Sequence, residues 1–225
     1  MDGPRVNHLF LRLLNSDRKK KELPDLIDIG SCNLHNMHGA FRNGVEISGW
    51  KIKNSLNGAY WLFNDSPARR EDYIAQTACS EFPFSFTGTR WLENDTVSER
   101  FVKLFPHLKV TVQFYENKPP SQRPKSKSYV RLRDAVHDPL ILPKMDYFAF
   151  IAKKFTFFLT FYQTDAPVVP FLHAHLVTLI TYLMDVFVKK DAVDGIKTLV
   201  DFRNFETKKT DILPTSNIGR WIGCL

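Results

Sequence analysis

Residues able to do chemistry are few and scattered along this chain. Cys32, His35 and His38 follow one another at i, i+3 and i+6, and a thiol with imidazoles is the kind of set that holds zinc. A structural zinc site takes four ligands, and no second pair follows at finger spacing, so side-chain packing outweighs metal binding for this group. Arg90 and Trp91 are the second candidate, because a guanidinium pairs with a phosphate and an indole stacks on an unpaired base. The plainer account of the pair is an indole anchor ahead of an amphipathic helix, with Arg90 meeting nearby carboxylates, and both accounts stand. His173 and His175 are two apart, point in different directions on a helix and do not chelate one ion together. Asp25 and Asp28 lie just before and within a short apolar run, where turn and surface roles are ordinary for Asp. There is no glycine-rich phosphate loop and no internal repeat, which removes P-loop nucleotide binding and solenoid architectures.

The background to these residues is a chain of 225 residues, long enough for one sizeable core or two small ones. Hydrophobic residues make up 44% of it and 19 are Phe, so it has the apolar surface to collapse. A formal net charge of +7 suits a polyanionic partner such as nucleic acid. Three widely spaced cysteines, Cys32, Cys79 and Cys224, make a poor disulfide framework and fit a reducing compartment. Arg5, His8, Arg12 and Asp17 interrupt the first segment, unlike a secretory signal. The best bilayer candidate, Phe148 to Tyr162, is too short and carries Lys153 and Lys154, so a soluble protein without membrane contact is expected.

The elements that must position the candidates are mostly helical in pattern. Val6, Leu9, Phe10, Leu13 and Leu14 share one helical face and predict a helix from Pro4 to Asn15, followed by the basic run Arg18 to Lys21. Leu26 to Ile29, bounded by Pro24 and Gly30, has the profile of a strand. A helix from Ser31 to Gly44 then carries Cys32 and His35, with Leu34, Met37, Ala40 and Phe41 on its apolar side. After the aromatic segment from Trp50 to Phe63, Ser66 and Pro67 open a helix that ends before Pro83. Val97, Phe101, Leu104 and Leu108 mark a helix interrupted at Pro106, and Val110 to Tyr115 has the run of a short strand. Asn117 to Ser128 reads as a flexible basic loop; phosphate contacts from Lys118 to Arg133 compete with simple solvation. Two helices, one through Phe148, Phe155 and Tyr162 and one through Leu172, Leu179 and Phe187, should fold back about Thr164 to Pro170 and bury their faces together. A last helix is expected from Ala192 to Phe205.

Four segments, taken in order, resemble the hAT superfamily, the hobo and Activator group of DNA transposases. They are Met1-Asp2-Gly3-Pro4 with Asn7, Ile29 through His35, Thr89 through Asn94, and Gln163-Thr164-Asp165 with Val169-Pro170-Phe171-Leu172. The resemblance implies an RNase H-like nuclease core interrupted by a helical insertion, with three carboxylates holding two Mg²⁺ ions that drive strand cleavage and transfer. By position Asp2 corresponds to the second carboxylate; the first is expected upstream, and the final Glu beyond Leu225. One carboxylate does not hold two Mg²⁺ ions in the geometry of in-line displacement. Asp2 is therefore read as vestigial, a metal ligand only where the other two are supplied, and no cofactor and no unaided cleavage are expected. The resemblance further implies that Cys32 and His35 support the active-site region and that Arg90 and Trp91 lie near hairpin DNA.

The expected fold class is mainly α with a small residual sheet: a partial RNase H-like α/β core over 1–90, an all-helical insertion over 91–207 and an unmatched tail over 208–225. The expected function is that of a truncated or domesticated transposase fragment acting in the nucleus, with DNA as partner and a transposase-like protein as a second. The rival readings are a protein-interaction module built on Phe148 to Lys190, and a decayed reading frame without a selected role.

Overall fold

The computed structural model describes residues 5–26, 33–64 and 66–206. Ten helices follow in order among them: α1 (Arg5–Lys20), α2 (Asn33–Ile47), α3 (Ile52–Phe63), α4 (Pro67–Thr77), α5 (Asp95–Glu116), α6 (Lys127–Val136), α7 (Ile141–Tyr162), α8 (Leu172–Phe187), α9 (Lys190–Val193) and α10 (Leu199–Asn204). Tight 3₁₀ turns occur at Trp91–Asn94, Pro120–Gln122 and Val169–Phe171. The chain is mainly helical, and the described residues hold almost no strand. The strand expected at Leu26 to Ile29 is not seen at Leu26, which lies in irregular chain, and its other positions fall outside the described residues.

The stretch from Val110 to Tyr115 is helix, not strand. Thr111, Val112 and Tyr115 are buried and extend the apolar stripe set by Val97, Phe101, Leu104 and Leu108, so the helical period wins over local β propensity. Pro106 lies inside α5 on its exposed side, where it removes a single backbone donor, while the buried stripe opposite holds the helix together. The basic stretch after α5 is partly folded: Ser126 caps α6 by accepting the Tyr129 N–H, and the Lys118 ammonium sits 4.0 Å from the Phe114 ring centroid. The helix expected from Ala192 to Phe205 is split into α9 and α10 around Gly195, which takes a φ of 91°.

The core draws on both sides of residue 91, from Phe41 of α2 to Leu179 of α8. The helix expected to pair mainly with α8 packs chiefly on α5 instead. Along it Phe148, Ile151, Phe155, Phe158 and Leu159 are buried, and the Ser98 hydroxyl donates 2.9 Å to the Met145 carbonyl. The hairpin with α8 exists but is loosely covered, with only Leu179 and Val186 buried on α8. Its bend is held by aromatic contacts, including His175 edge-on to Phe161 at 4.5 Å between ring centroids. Phe148 to Tyr162 is thus a core segment. Among the described residues, the stretch long and apolar enough to cross a membrane, by length and composition alone, is Val169–Phe187, of which only Leu179 and Val186 are buried.

Two backbones approach closely where α3 crosses α6. A Cβ at Gly58 would lie 2.8 Å from Arg131 Cβ and 2.9 Å from the Leu132 backbone nitrogen. Replacing a helical Gly by Ala ordinarily stabilises by about 1 kcal/mol. Here the overpacking cost, about 1–3 kcal/mol, should reverse that sign. Gly58→Ala is expected to lower the urea midpoint and Gly58→Val to lower it further; a raised midpoint for Ala would refute this packing.

Candidate nucleic-acid interface

The chain reaches Arg90 and Trp91 through an irregular segment that could not hold its shape by backbone bonds alone. Asn94, fully buried, does so from inside: its Oδ1 accepts the Thr87 N–H at 2.8 Å. Its Nδ2 donates to the carbonyls of Thr87 at 3.1 Å, Arg90 at 2.9 Å and Trp91 at 3.2 Å. One amide side chain thus engages four backbone groups, its two N–H donors shared among three carbonyls. A second clamp comes from α2, where His38 Nδ1 accepts the Leu92 N–H at 3.2 Å. This bond requires a neutral imidazole with its proton on Nε2. The His38 pKa is lowered, first by burial and further by His35 and Arg90, with Glu93 opposing.

The two clamps point the neighbouring side chains in opposite directions. Trp91 is 2% exposed, its ring 5.1 Å from Phe86 in an edge-on contact, so its faces are packed rather than presented. Arg90 is exposed, and its guanidinium meets Glu93 at 3.4 Å. A solvent-exposed pair of this kind is weak and exchanges readily for a phosphate. Beside the turn is a depression of about 320 Å³, with Glu46, Lys51, Ile52, Lys53, Asn54 and Trp91 in its walls. Lys51 stands before α3 at a φ of 53°, and its side chain makes no capping hydrogen bond to that helix. In the walls of the depression Lys51 and Lys53 outnumber Glu46, which leaves the depression locally positive.

Of the residues singled out by sequence, His38 is brought onto the Arg90–Trp91 turn, while His35 is exposed elsewhere on α2. Asp2 and Cys32 lie outside the described residues. Among the described residues no three His, Cys, Asp or Glu side chains gather as a metal-binding group. His173 is exposed, and His175 Nδ1 lies 3.1 Å from the Tyr162 hydroxyl within the hairpin. Asn94, Lys51 and Lys53 escaped the sequence reading. The lysines alternate with apolar Trp50 and Ile52 across the start of α3, a pattern that marks a basic edge only once Trp91 is placed beside it. No family model, no curated protein and no solved structure matches this chain.

The His38 clamp carries a pH signature. Unfolded, His38 titrates near its ordinary value of 6.5; folded, it does so lower, so the unfolded state binds more protons once the pH falls past 6.5. The stabilisation is present above that value and is lost as the pH drops. Thermal melts between about pH 7.5 and about pH 5.5 should show a falling Tm. His38→Gln, which has no such titration, should show a shallower fall; an unchanged slope would remove the clamp from the account.

Proposed function

We propose that this chain is a stretch of a hAT-type transposase, whether truncated or domesticated, and that it associates with DNA in the nucleus through Arg90, Lys51 and Lys53. In this reading residues 1–90 derive from a partial RNase H-like core and residues 91–207 from the helical insertion. The ordered sequence segments supply the family reading. The observation that supports DNA association is an exposed Arg90 on a turn held by Asn94, whose chain neighbour Trp91 lines a depression edged by two lysines. Trp91 acts in this reading as the buried anchor that fixes the direction of Arg90. Asp2 remains the residue by which the chain would contribute to a Mg²⁺ site completed by carboxylates from elsewhere.

A second reading, a protein-interaction module built on the Phe-rich hairpin, is favoured by a separate observation. Phe157, Val169 and Phe171 are large apolar side chains more than half exposed at or near the hairpin bend. A transposase-like chain is the partner this reading proposes.

The two separate by salt. Fluorescence anisotropy of a labelled DNA hairpin should show affinity that falls with salt, each neutralised phosphate adding about 0.7–0.9 to the slope of log affinity against log salt. Removing Arg90, Lys51 and Lys53 together, as alanines, should flatten that slope by about 2 units or more. Absent binding, or a slope the triple variant leaves unmoved, would overturn the DNA reading.

A further inference from the structure

A larger cavity, about 590 Å³, opens between α2, α7 and the end of α8, with Val45 contributing to its wall and to that of the basic depression. Its chemistry is different. Phe41, Trp50, Tyr147, Phe155 and Phe187 form its sides, with Trp50 edge-on to Tyr147 at 5.5 Å and Tyr147 edge-on to Phe187 at 6.0 Å. A pit of this volume with aromatic walls is of the size that encloses a drug-sized molecule. Among the described residues of its wall Lys144 is the one cation, and it is committed to Asp138 at 2.5 Å, so these residues offer no free charge to an anionic headgroup.

Gly44 shapes the mouth of this cavity. It is exposed in the last turn of α2 and lines the cavity, and a Cβ there would meet nothing within 4 Å. A glycine within a helix costs up to about 1 kcal/mol relative to alanine. No neighbouring backbone demands it, unlike Gly58; what its missing side chain provides is open space in the cavity wall.

We propose that this cavity binds one uncharged, flat polycyclic molecule. The site is independent of the DNA reading, since none of Arg90, Lys51 and Lys53 lines it. Nile red, a neutral polycyclic dye that brightens on leaving water, is the probe. Titration of the full chain should saturate at one dye per chain and quench tryptophan fluorescence, with the quenching reduced in Trp50→Phe. Gly44→Leu should weaken binding by about tenfold or more without lowering Tm, because it fills open space on a helix. Leu140→Glu, at an exposed position of the rim beside α7, should weaken it independently of any effect on α2. Anilinonaphthalene sulfonate, an anionic dye, should bind about tenfold more weakly or worse. Binding that does not saturate, that neither variant moves, or that the anionic dye equals would overturn the proposal. So would sedimentation showing a self-associated chain that excludes the dye and that Gly44→Leu dissociates, since the occupant would then be a second copy.

Discussion

The approach of α3 to α6 at Gly58 constrains everything around it. Because the two backbones touch there, the axis of α3 is fixed to within the width of a methyl group, and both of its ends inherit that placement. Toward its C-terminus, Leu62 and Phe63 are buried and Arg70 of α4 donates to the Phe63 carbonyl at 2.7 Å, which ties the following helix down. Toward its N-terminus, Ile52 is buried and Lys51 and Lys53 emerge beside Trp91. On the other side of the contact, α6 lays Tyr129 edge-on against Tyr115 of α5 at 5.7 Å. A side chain at position 58 would therefore be felt in the basic depression about one and a half helical turns away.

Within this frame, apolar burial supplies cohesion and a few polar contacts supply register. Phe side chains are tolerant of sliding, and the core is rich in them. The Ser98 hydroxyl on the Met145 carbonyl is not tolerant, because a shift of one residue along α7 would bury an unmet hydroxyl. His38 sets α2 against the Trp91–Asn94 turn in the same way, and Asn94 sets the turn against its own approach segment. These contacts determine which of several apolar arrangements is adopted.

Helices were legible where their apolar stripe was long and their ends were marked. Ser66 and Pro67 announced α4, and Val97 to Leu108 announced α5. The reading failed where a stripe had to be followed past a disturbance: Pro106 suggested a stop, and Val110 to Tyr115, judged by itself, looked like strand. Partnership between helices was less legible than their existence, since the aromatic face of α7 suits α5 and α8 equally on paper. At the candidate interface, sequence proximity made Arg90 and Trp91 a pair, but the turn sends one outward and the other inward. Lys51 and Lys53 belong to that surface only through folding, and spacing along the chain carries no trace of it.

The uncovered apolar surface has a geography that bears on how such a chain behaves. The middle of the fold buries most of its large side chains, leaving Ile47, Trp61 and Leu140 exposed singly, whereas α1 exposes Leu9, Phe10 and Leu13 together and makes no extensive contact with another described element. The hairpin end exposes Phe157, Val169 and Phe171. Full burial of such a side chain is worth about 1.5–3 kcal/mol, so covering either end would yield association energy with almost no electrostatic component. The basic turn is the reverse case: its attraction for a polyanion is electrostatic and fades within a Debye length of about 10 Å at moderate salt. Raising salt therefore weakens contacts at the turn while leaving or strengthening those at the ends. The two kinds of surface answer to different solution conditions, so a DNA-associating chain and a self-associating one can be the same molecule without either behaviour implying the other.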